Sequence, residues 1–109
     1  MTARQIFHLT TAFEWEAAQR DGEYRATGFA EEGFIHFSNR DQVTRTHRKF
    51  YADVADLVLL TVDVDRLGEP SIVDEPGDPG SDVLFPHLYR PLPVDAVVDA
   101  RPFDPTTWP

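Results

Sequence analysis

The sequence predicts a small α+β domain rather than a doubly wound α/β sheet. Two helical segments lie in the first half of the chain and a run of short strands follows them, an order that is typical of α+β folds. No glycine-rich phosphate loop is present, so the fingerprints of Rossmann and P-loop proteins are missing. At 109 residues, the chain is long enough for one modest core. We expect a single domain over residues 1–109, with its core over residues 5–103 and a C-terminal tail over residues 104–109.

The first strand and the first helix are predicted near the start of the chain. Gln5 to Leu9 reads as a strand, and a helix follows over Ala12 to Arg20 until Asp21-Gly22 ends it. Thr11 with Glu14 fits the capping-box pattern that begins a helix. Three side chains recur at helical spacing and are expected to face the core: Phe13, Ala17 and Ala18.

A second strand and a second helix are predicted further along. Tyr24 to Glu32 reads as a loop with one helical turn, and Phe34 to Phe37 reads as a strand. Ser38 or Asn39 is expected to cap a helix over Arg40 to about Tyr51. The side chains expected to face inward from that helix are Val43, Thr46 and Phe50.

The second half of the chain predicts strands and turns. Leu57 to Val62 is a run of β-branched residues and leucines between aspartates, which predicts a buried central strand. Leu84 to Tyr89 is also extended, and Pro86 restricts it to a sheet edge or a bulge. Shorter strands are expected over Ser71 to Asp74 and Ala96 to Ala100, and a loop over Pro76 to Asp82. The Pro-rich end is expected to pack through Phe103 and Trp108.

Composition excludes several classes of function. The chain has 10 Lys and Arg against 19 Asp and Glu, a net charge of −9, and no cysteine. Disulfides, thiolate catalysis and cysteine-ligated zinc are therefore excluded. We expect no broad nucleic-acid surface and no membrane surface, because anionic phosphates require a broad basic face. Without an apolar leader or a bilayer-spanning run, we expect a cytoplasmic protein.

Three predicted strands each carry a histidine and a hydroxyl residue two positions later. The pairs are His8 with Thr10, His36 with Ser38, and His87 with Tyr89. Residues two apart on a strand point to the same face, so each strand presents two polar groups together. Considered alone, the first pair is more typical of a satisfied core histidine followed by a helix-starting threonine.

The other two pairs each have a functional and a structural interpretation. Ser38 and Gln42 lie near a helix N-terminus, which can hold phosphate or carboxylate, but ordinary capping is an equal alternative. His87 can exchange a proton near neutral pH and Tyr89 can stack on a planar ring; the alternative is an edge strand that fills the core. Glu75 is a candidate acid, although a solvated carboxylate is more common in so acidic a stretch.

Three histidines can also form a zinc site with water as the fourth ligand. Their wide spacing here lacks the H-x-x-x-H signature, so no metal is predicted and a histidine-ligated metal site stays an alternative. A Ser-His-Asp triad is weaker still, because Ser38 is not in a nucleophile-elbow context.

The sequence resembles the bacterial family called domain of unknown function 952 over about Ile6 to Phe103. The most specific segments are Gly33-Phe34-Ile35-His36-Phe37-Ser38 and Phe85-Pro86-His87-Leu88-Tyr89. The resemblance implies a fold like that of ADP-ribosyltransferases, with two N-terminal helices and a bent, split, mostly antiparallel sheet. The cleft of such a fold binds a nicotinamide dinucleotide, so NAD is the expected cofactor.

The resemblance also implies roles for individual residues. His8 would hold a ribose, Ser38 or Tyr89 would position the nicotinamide end, and Glu75 or His87 would serve the transfer. The expected catalytic residues are His8, His36, His87 and Glu75, and the expected cofactor-binding residues are Thr10, Ser38, Gln42 and Tyr89. The expected activity is that of a transferase acting on NAD or a related nucleotide. The alternative is a non-catalytic module that binds a small anionic metabolite.

Overall fold

The structure, a computed structural model, describes residues 4–108 as an α+β arrangement of antiparallel sheets and short helices. The predicted α+β class is confirmed. The structure does not describe residues 1–3 and Pro109. The start of the predicted domain and the end of the predicted tail therefore lie outside the described residues. None of the helices in the described part is long and apolar enough to cross a membrane.

The first sheet has β4 (Leu57–Asp63) at its centre, between β1 (Gln5–Thr11) and β8 (Val97–Pro102). Both neighbours run antiparallel to β4, and His8 lies opposite Leu60 in the register. The predicted buried central strand is confirmed. Its apolar side chains pack on both faces of the sheet, in two separate clusters.

Two smaller sheets complete the fold. Their strands are β2 (Glu23–Tyr24), β3 (Ile35–His36), β5 (Val73–Pro76), β6 (Leu84–Leu88) and β7 (Leu92–Pro93). β2 pairs with β7, and β6 lies between β3 and β5. Backbone hydrogen bonds of 2.8 and 2.7 Å between Phe7 and Ser38 join β1 to the residues that follow β3. This junction brings the first sheet against the sheet that contains β6.

Pro86 lies in a central strand, so the prediction of an edge or a bulge is wrong. The N–H and C=O of a strand residue point to the same neighbouring strand, and the Pro86 carbonyl accepts a hydrogen bond from the Phe37 N–H over 2.9 Å. The ring nitrogen of Pro86 therefore also faces the side of β3. β3 ends at His36, so Pro86 lacks its N–H at a position where the regular pairing of β6 with β3 has already stopped. The pairing of β6 with β5 on the other side does not use that N–H and is kept.

The first helix, α1 (Ala12–Asp21), begins as predicted, because the Thr11 hydroxyl accepts a hydrogen bond from the Glu14 N–H over 3.2 Å. The prediction that Phe13 faces inward is wrong, since its side chain is 79% exposed. Residues 13 and 15 lie on opposite sides of a helix, so only one of them can face the core. The buried side chains are Trp15 and Ala18.

The second predicted helix is a helical segment over residues 40–51 with three parts. They are a 3-10 turn over Arg40–Gln42, an α-helical turn, α3, over Val43–Thr46, and a π-helical turn over His47–Tyr51. A separate short helix, α2, covers Phe29–Glu32 earlier in the chain. Val43 and Thr46 are buried as predicted. Phe50 is 58% exposed instead, because the wider π turn rotates its residues away from the 3.6-residue period.

The predicted packing of the C-terminal tail through Phe103 and Trp108 is confirmed, and the tail lies on the face of the first sheet that carries Phe7. The ring of Trp108 lies 5.3 Å from that of Phe7, and its indole N–H donates to the Arg40 carbonyl over 3.2 Å. Phe103 packs against the same apolar cluster. The tail thus covers the face of β1 that is opposite to His8.

Candidate functional site

A cavity of about 340 Å³ opens between β1, the sheet that contains β6, and the helical segment over residues 40–51. Its polar lining includes His8, Glu32, His36, Ser38, Thr46 and His87, and its aromatic lining includes Phe34, Phe50 and Tyr51. The three histidines that the sequence singles out therefore all border one cavity. They differ in how much hydrogen-bonding capacity remains for a ligand.

His36 and His87 lie directly opposite each other on β3 and β6, with ring centroids 5.3 Å apart. The Nδ1–H of His87 donates to the Phe85 carbonyl over 2.8 Å, so in the neutral ring Nε2 is an acceptor. None of the hydrogen bonds found within residues 4–108 uses a ring nitrogen of His36. The described part also holds no buried side-chain nitrogen or oxygen without a partner. The free nitrogens of this pair are therefore accessible from the cavity.

The protonation state of His36 follows from its surroundings. The pKa of His36 is lowered from 6.5 to about 4, chiefly by burial and then by the neighbouring His87. The ring is therefore neutral at neutral pH and offers one N–H donor and one acceptor. With Nε2 of His87, the pair presents a donor beside two acceptors to any ligand in the cavity.

His8 is buried and both of its ring nitrogens are occupied. Burial lowers the pKa of His8 to about 4, so the ring is neutral, and its Nδ1–H donates to the His36 carbonyl over 2.8 Å. Nε2 must then accept, and it does so from the Tyr24 hydroxyl at 2.8 Å. The Tyr24 hydroxyl has a single proton, which it donates to His8. In the 3.1 Å hydrogen bond between Tyr24 and Thr10, the Thr10 hydroxyl is therefore the donor. No polar atom of His8 is left for a ligand.

Ser38 borders the cavity through its side chain and joins the sheets through its main chain. Its hydroxyl lies 2.8 Å from the Thr46 hydroxyl. Two hydroxyls that share one hydrogen bond keep one proton, which can be donated to a ligand. Ser38 does not cap the helical segment, since Asn39 begins it, with its N–H donating to Gln42 Oε1 over 2.8 Å.

Gln42 and Thr10 lie outside the cavity lining. Gln42 accepts from Asn39 as above, and its Nε2 donates to the Leu84 carbonyl over 2.8 Å. Its amide therefore joins the start of the helical segment to the start of β6. Thr10 is occupied by Tyr24, so both residues have their side-chain polar groups used within the protein.

Glu75 and Tyr89 form a pair beside the cavity rather than within it. The Tyr89 hydroxyl donates to the Glu75 carboxylate. The Tyr89 ring is 46% exposed and lies nearly parallel to the His87 ring, with centroids 6.3 Å apart. The two residues are thus neighbours of the imidazole pair but do not line the 340 Å³ cavity.

Tyr24 and Thr46 contribute to the site although the sequence pattern does not mark them as site residues. Tyr24 contacts His8 across 16 positions of the chain, and no periodicity signals such a contact. Thr46 had a weak signal, since a threonine at an inward helical position needs a polar partner. Here that partner is Ser38.

A metal site has no cluster of ligands to occupy in the described part. No group of three or more His, Asp or Glu side chains that could hold a metal ion occurs within residues 4–108. The cause is visible at His8, whose two nitrogens bind Tyr24 and the His36 main chain. Of the three histidines that border the cavity, His36 and His87 keep free ring nitrogens within the described residues.

Comparison with known proteins places the chain beside a bacterial relative. The family described as "Protein of unknown function (DUF952)" matches residues 9–100. A crystal structure of protein CC0527 from Caulobacter crescentus is 37% identical, covers 92% of this chain and 86% of that chain, and has a TM-score of 0.79. A solution NMR structure of CC0527 is 36% identical, covers 92% and 84% of the two chains, and has a TM-score of 0.71. No curated protein matches the chain.

Proposed function

We propose that this chain, which belongs to the DUF952 family, binds a nucleotide-type ligand in the cavity beside His36 and His87. NAD is the first such ligand to test. The observation that carries the proposal is the facing imidazole pair, with free ring nitrogens open to a cavity that has aromatic walls.

The imidazole pair matches the polar edge of a planar ring. A nicotinamide carboxamide or a nucleobase edge carries a donor next to an acceptor, and the pair offers the complementary groups. Phe34 and Tyr51 supply apolar ring faces in the same cavity, and such faces stack on planar ligands. The spare proton of the Ser38–Thr46 hydroxyl pair is suited to a ribose oxygen.

The size of the cavity sets how much of the ligand it encloses. Its 340 Å³ lies near the lower end of the range for small-molecule sites, which is about 300–1,000 Å³. One ring with its ribose fits such a volume, and the remainder of a dinucleotide extends outward. The proposed ligand class is therefore defined by the part that the cavity would enclose, a planar ring with its ribose beside the histidines.

For the activity, we propose that this is an ADP-ribosyltransferase-like domain that acts on NAD. In that reaction the bond between the ribose C1′ and nicotinamide breaks, and its electron pair leaves with nicotinamide. An acceptor oxygen bonds to C1′, and its proton passes to a base. A neutral imidazole of the pair can take that proton. His8 would act on this chemistry by holding the His36 main chain, since its own ring nitrogens are occupied.

A non-catalytic binding module is the second candidate. The observation that favours it is the position of Glu75, which is bound by Tyr89 outside the cavity. Without a carboxylate from Glu75, a transferase would have to use the imidazole pair or Glu32, which also lines the cavity. A module that only recognises a small anionic metabolite has no such requirement.

Ligand-dependent thermal unfolding tests the proposal. NAD, ADP-ribose and nicotinamide mononucleotide should raise the melting temperature, because a ligand that binds only the folded state stabilises it by mass action. His87→Ala and His36→Gln should remove the shift. His47→Gln is the matched control, since His47 packs on Phe103 outside the cavity and should keep it.

The absence of a shift at millimolar concentrations of all three compounds would overturn the proposal. Release of nicotinamide from NAD, followed by chromatography, separates the two candidates. Release that is lost in His87→Ala supports the transferase. Binding without release supports the module.

A further inference from the structure

A second and smaller cavity adjoins the first. The two cavities share four lining residues: His36, Thr46, Phe50 and Gly77. The smaller one is also bordered by Arg45, Lys49, Asp78 and Phe85. A ligand that extends past His36 from the larger cavity therefore enters a space with two cationic side chains.

Arg45 and Lys49 lie four positions apart on the helical segment, so they project from the same side of it. The Lys49 Nζ lies 3.0 Å from Asp78 Oδ2, and the two side chains are 47% and 56% exposed. Arg45 takes part in none of the ion pairs found within residues 4–108. Within the described residues, Lys49 is thus paired with a carboxylate of the protein and Arg45 is not.

Gly77 keeps Asp78 in this position. A Cβ atom built on Gly77 would lie 2.7 Å from Cδ1 of Phe85, so only glycine lets the loop approach β6 this closely. The Phe85 ring in turn contacts His36, with centroids 4.9 Å apart. The loop therefore brings a carboxylate to the cations beside the imidazole pair.

We infer that Arg45 and Lys49 bind the phosphate of the ligand, and that Asp78 occupies this anion site until the phosphate displaces it. The inference rests on the proposed function for the ring end of the ligand. A half-exposed ion pair is weak, whereas a phosphate carries more charge and more acceptor oxygens than a carboxylate. The exchange of one anion for a stronger one is therefore favourable.

Titration calorimetry on the full chain tests the inference with three probes. They are nicotinamide riboside, nicotinamide mononucleotide, which adds one phosphate, and inorganic pyrophosphate. Lys49→Gln should weaken the mononucleotide and pyrophosphate by about tenfold, as expected for the loss of one charge-assisted hydrogen bond. It should leave the riboside unchanged. Asp78→Asn should strengthen both anions, because the competing carboxylate is gone.

Two control variants make the same changes of charge outside both cavities. Arg48→Gln alters the helical segment next to Lys49, and Asp82→Asn alters the same loop as Asp78, but neither residue lines a cavity. Both should leave the three affinities unchanged. Circular dichroism of each variant confirms that it is folded.

The outcomes separate this inference from the proposed function. If pyrophosphate binds with the expected dependence on Lys49 while the riboside and mononucleotide do not bind, the anion site stands and the proposed function is wrong. If Lys49→Gln and Asp78→Asn change anion binding no more than their controls, the inference is overturned even where the riboside binds. No binding of any probe to the wild-type protein overturns both.

Discussion

The Nδ1–H of His8 donates a 2.8 Å hydrogen bond to the main-chain carbonyl of His36. A buried histidine on the first strand thus holds the backbone of the histidine that faces the cavity. The same ring is held from its other side by Tyr24. His8 is therefore a positioning residue, and its contribution should be visible first in stability.

Replacement of His8 by alanine should lower the free energy of unfolding by about 3 kcal/mol. The variant leaves a void, a buried His36 carbonyl without its donor, and a Tyr24 hydroxyl that keeps Thr10 but loses its acceptor. His8→Asn should recover part of the loss, because its amide N–H can replace Nδ1–H. Urea unfolding measures both variants.

The control for His8 is His47→Ala. His47 packs against Phe103 at the surface cluster, so we expect a loss below about 1 kcal/mol, the usual range for a partly exposed side chain. An unfolding free energy for His8→Ala that equals that of the control would contradict the positioning role.

The hydroxyl of Tyr24 should be worth about 1–2 kcal/mol of stability, the range for a buried hydrogen bond that leaves an unpaired partner. Tyr24→Phe keeps the ring, which contacts that of His8 at 5.1 Å, but leaves Nε2 of His8 without its donor. Burial raises the pKa of Tyr24, so the hydroxyl stays protonated throughout the measurement. Equilibrium unfolding in urea gives the difference from wild type.

Tyr89→Phe is the matched comparison for Tyr24→Phe. The Tyr89 hydroxyl binds Glu75 at the surface, and its loss should change stability by no more than about 0.5 kcal/mol. Equal effects of the two variants would show that the buried hydroxyl chain contributes nothing.

Local chemistry explains which elements the sequence predicts well. The cap at Thr11 and the packing of the tail through Trp108 follow from the preferences of single residues for a helix start and for burial. Helical periodicity predicts that Phe13 and Phe50 face inward, but both are exposed. In the first case Trp15 competes for the core, and in the second a π turn changes the period. Periodicity alone predicts neither the burial of Trp15 in place of Phe13 nor the π turn.

The candidate site is predicted only in part, because it depends on strand pairing. The sequence marks His8, His36 and His87 as equal members of three similar pairs. The register of β3 with β6 sets His36 opposite His87, whereas Tyr24, 16 positions away, occupies His8. Register and long-range hydrogen bonds are set by the tertiary structure. The unequal roles of the three histidines therefore could not be read from their spacing.

Stability should fall as the pH is lowered from about 7 toward 4. The pKa of His8 is 6.5 in the unfolded reference and about 4 in the folded protein. Between these values the unfolded chain binds more protons, so acidification favours unfolding. At 1.36 kcal/mol per pKa unit, His8 alone should remove about 2 kcal/mol between pH 7.5 and pH 5. His36, whose pKa is lowered in the same direction, adds to this loss.

Urea unfolding at pH 7.5 and pH 5 measures this dependence. His8→Asn should show a smaller difference between the two pH values, since one of the two responsible groups is gone. The carboxyls of Asp74, Asp99 and Asp104 do not interfere, because hydrogen bonds hold their pKa values below 3.8. A pH dependence that is the same in wild type and His8→Asn would contradict the buried neutral state of His8.

The tail should stabilise the fold without taking part in the cavity. Trp108 packs edge-on to Phe7 at 5.3 Å, and the Arg40 guanidinium lies 4.9 Å from the Trp108 ring centroid. Trp108→Ala should therefore lower the free energy of unfolding by about 1–2 kcal/mol, the sum of an aromatic pair and a cation–π contact. Trp108→Phe should recover part of this loss, because it keeps an aromatic ring beside Phe7 but lacks the larger indole and its N–H bond to the Arg40 carbonyl. Trp15 remains as the fluorescent reporter of unfolding. Both variants should bind NAD as wild type does, and a loss of binding in Trp108→Ala alone would show that the tail and the cavity are coupled.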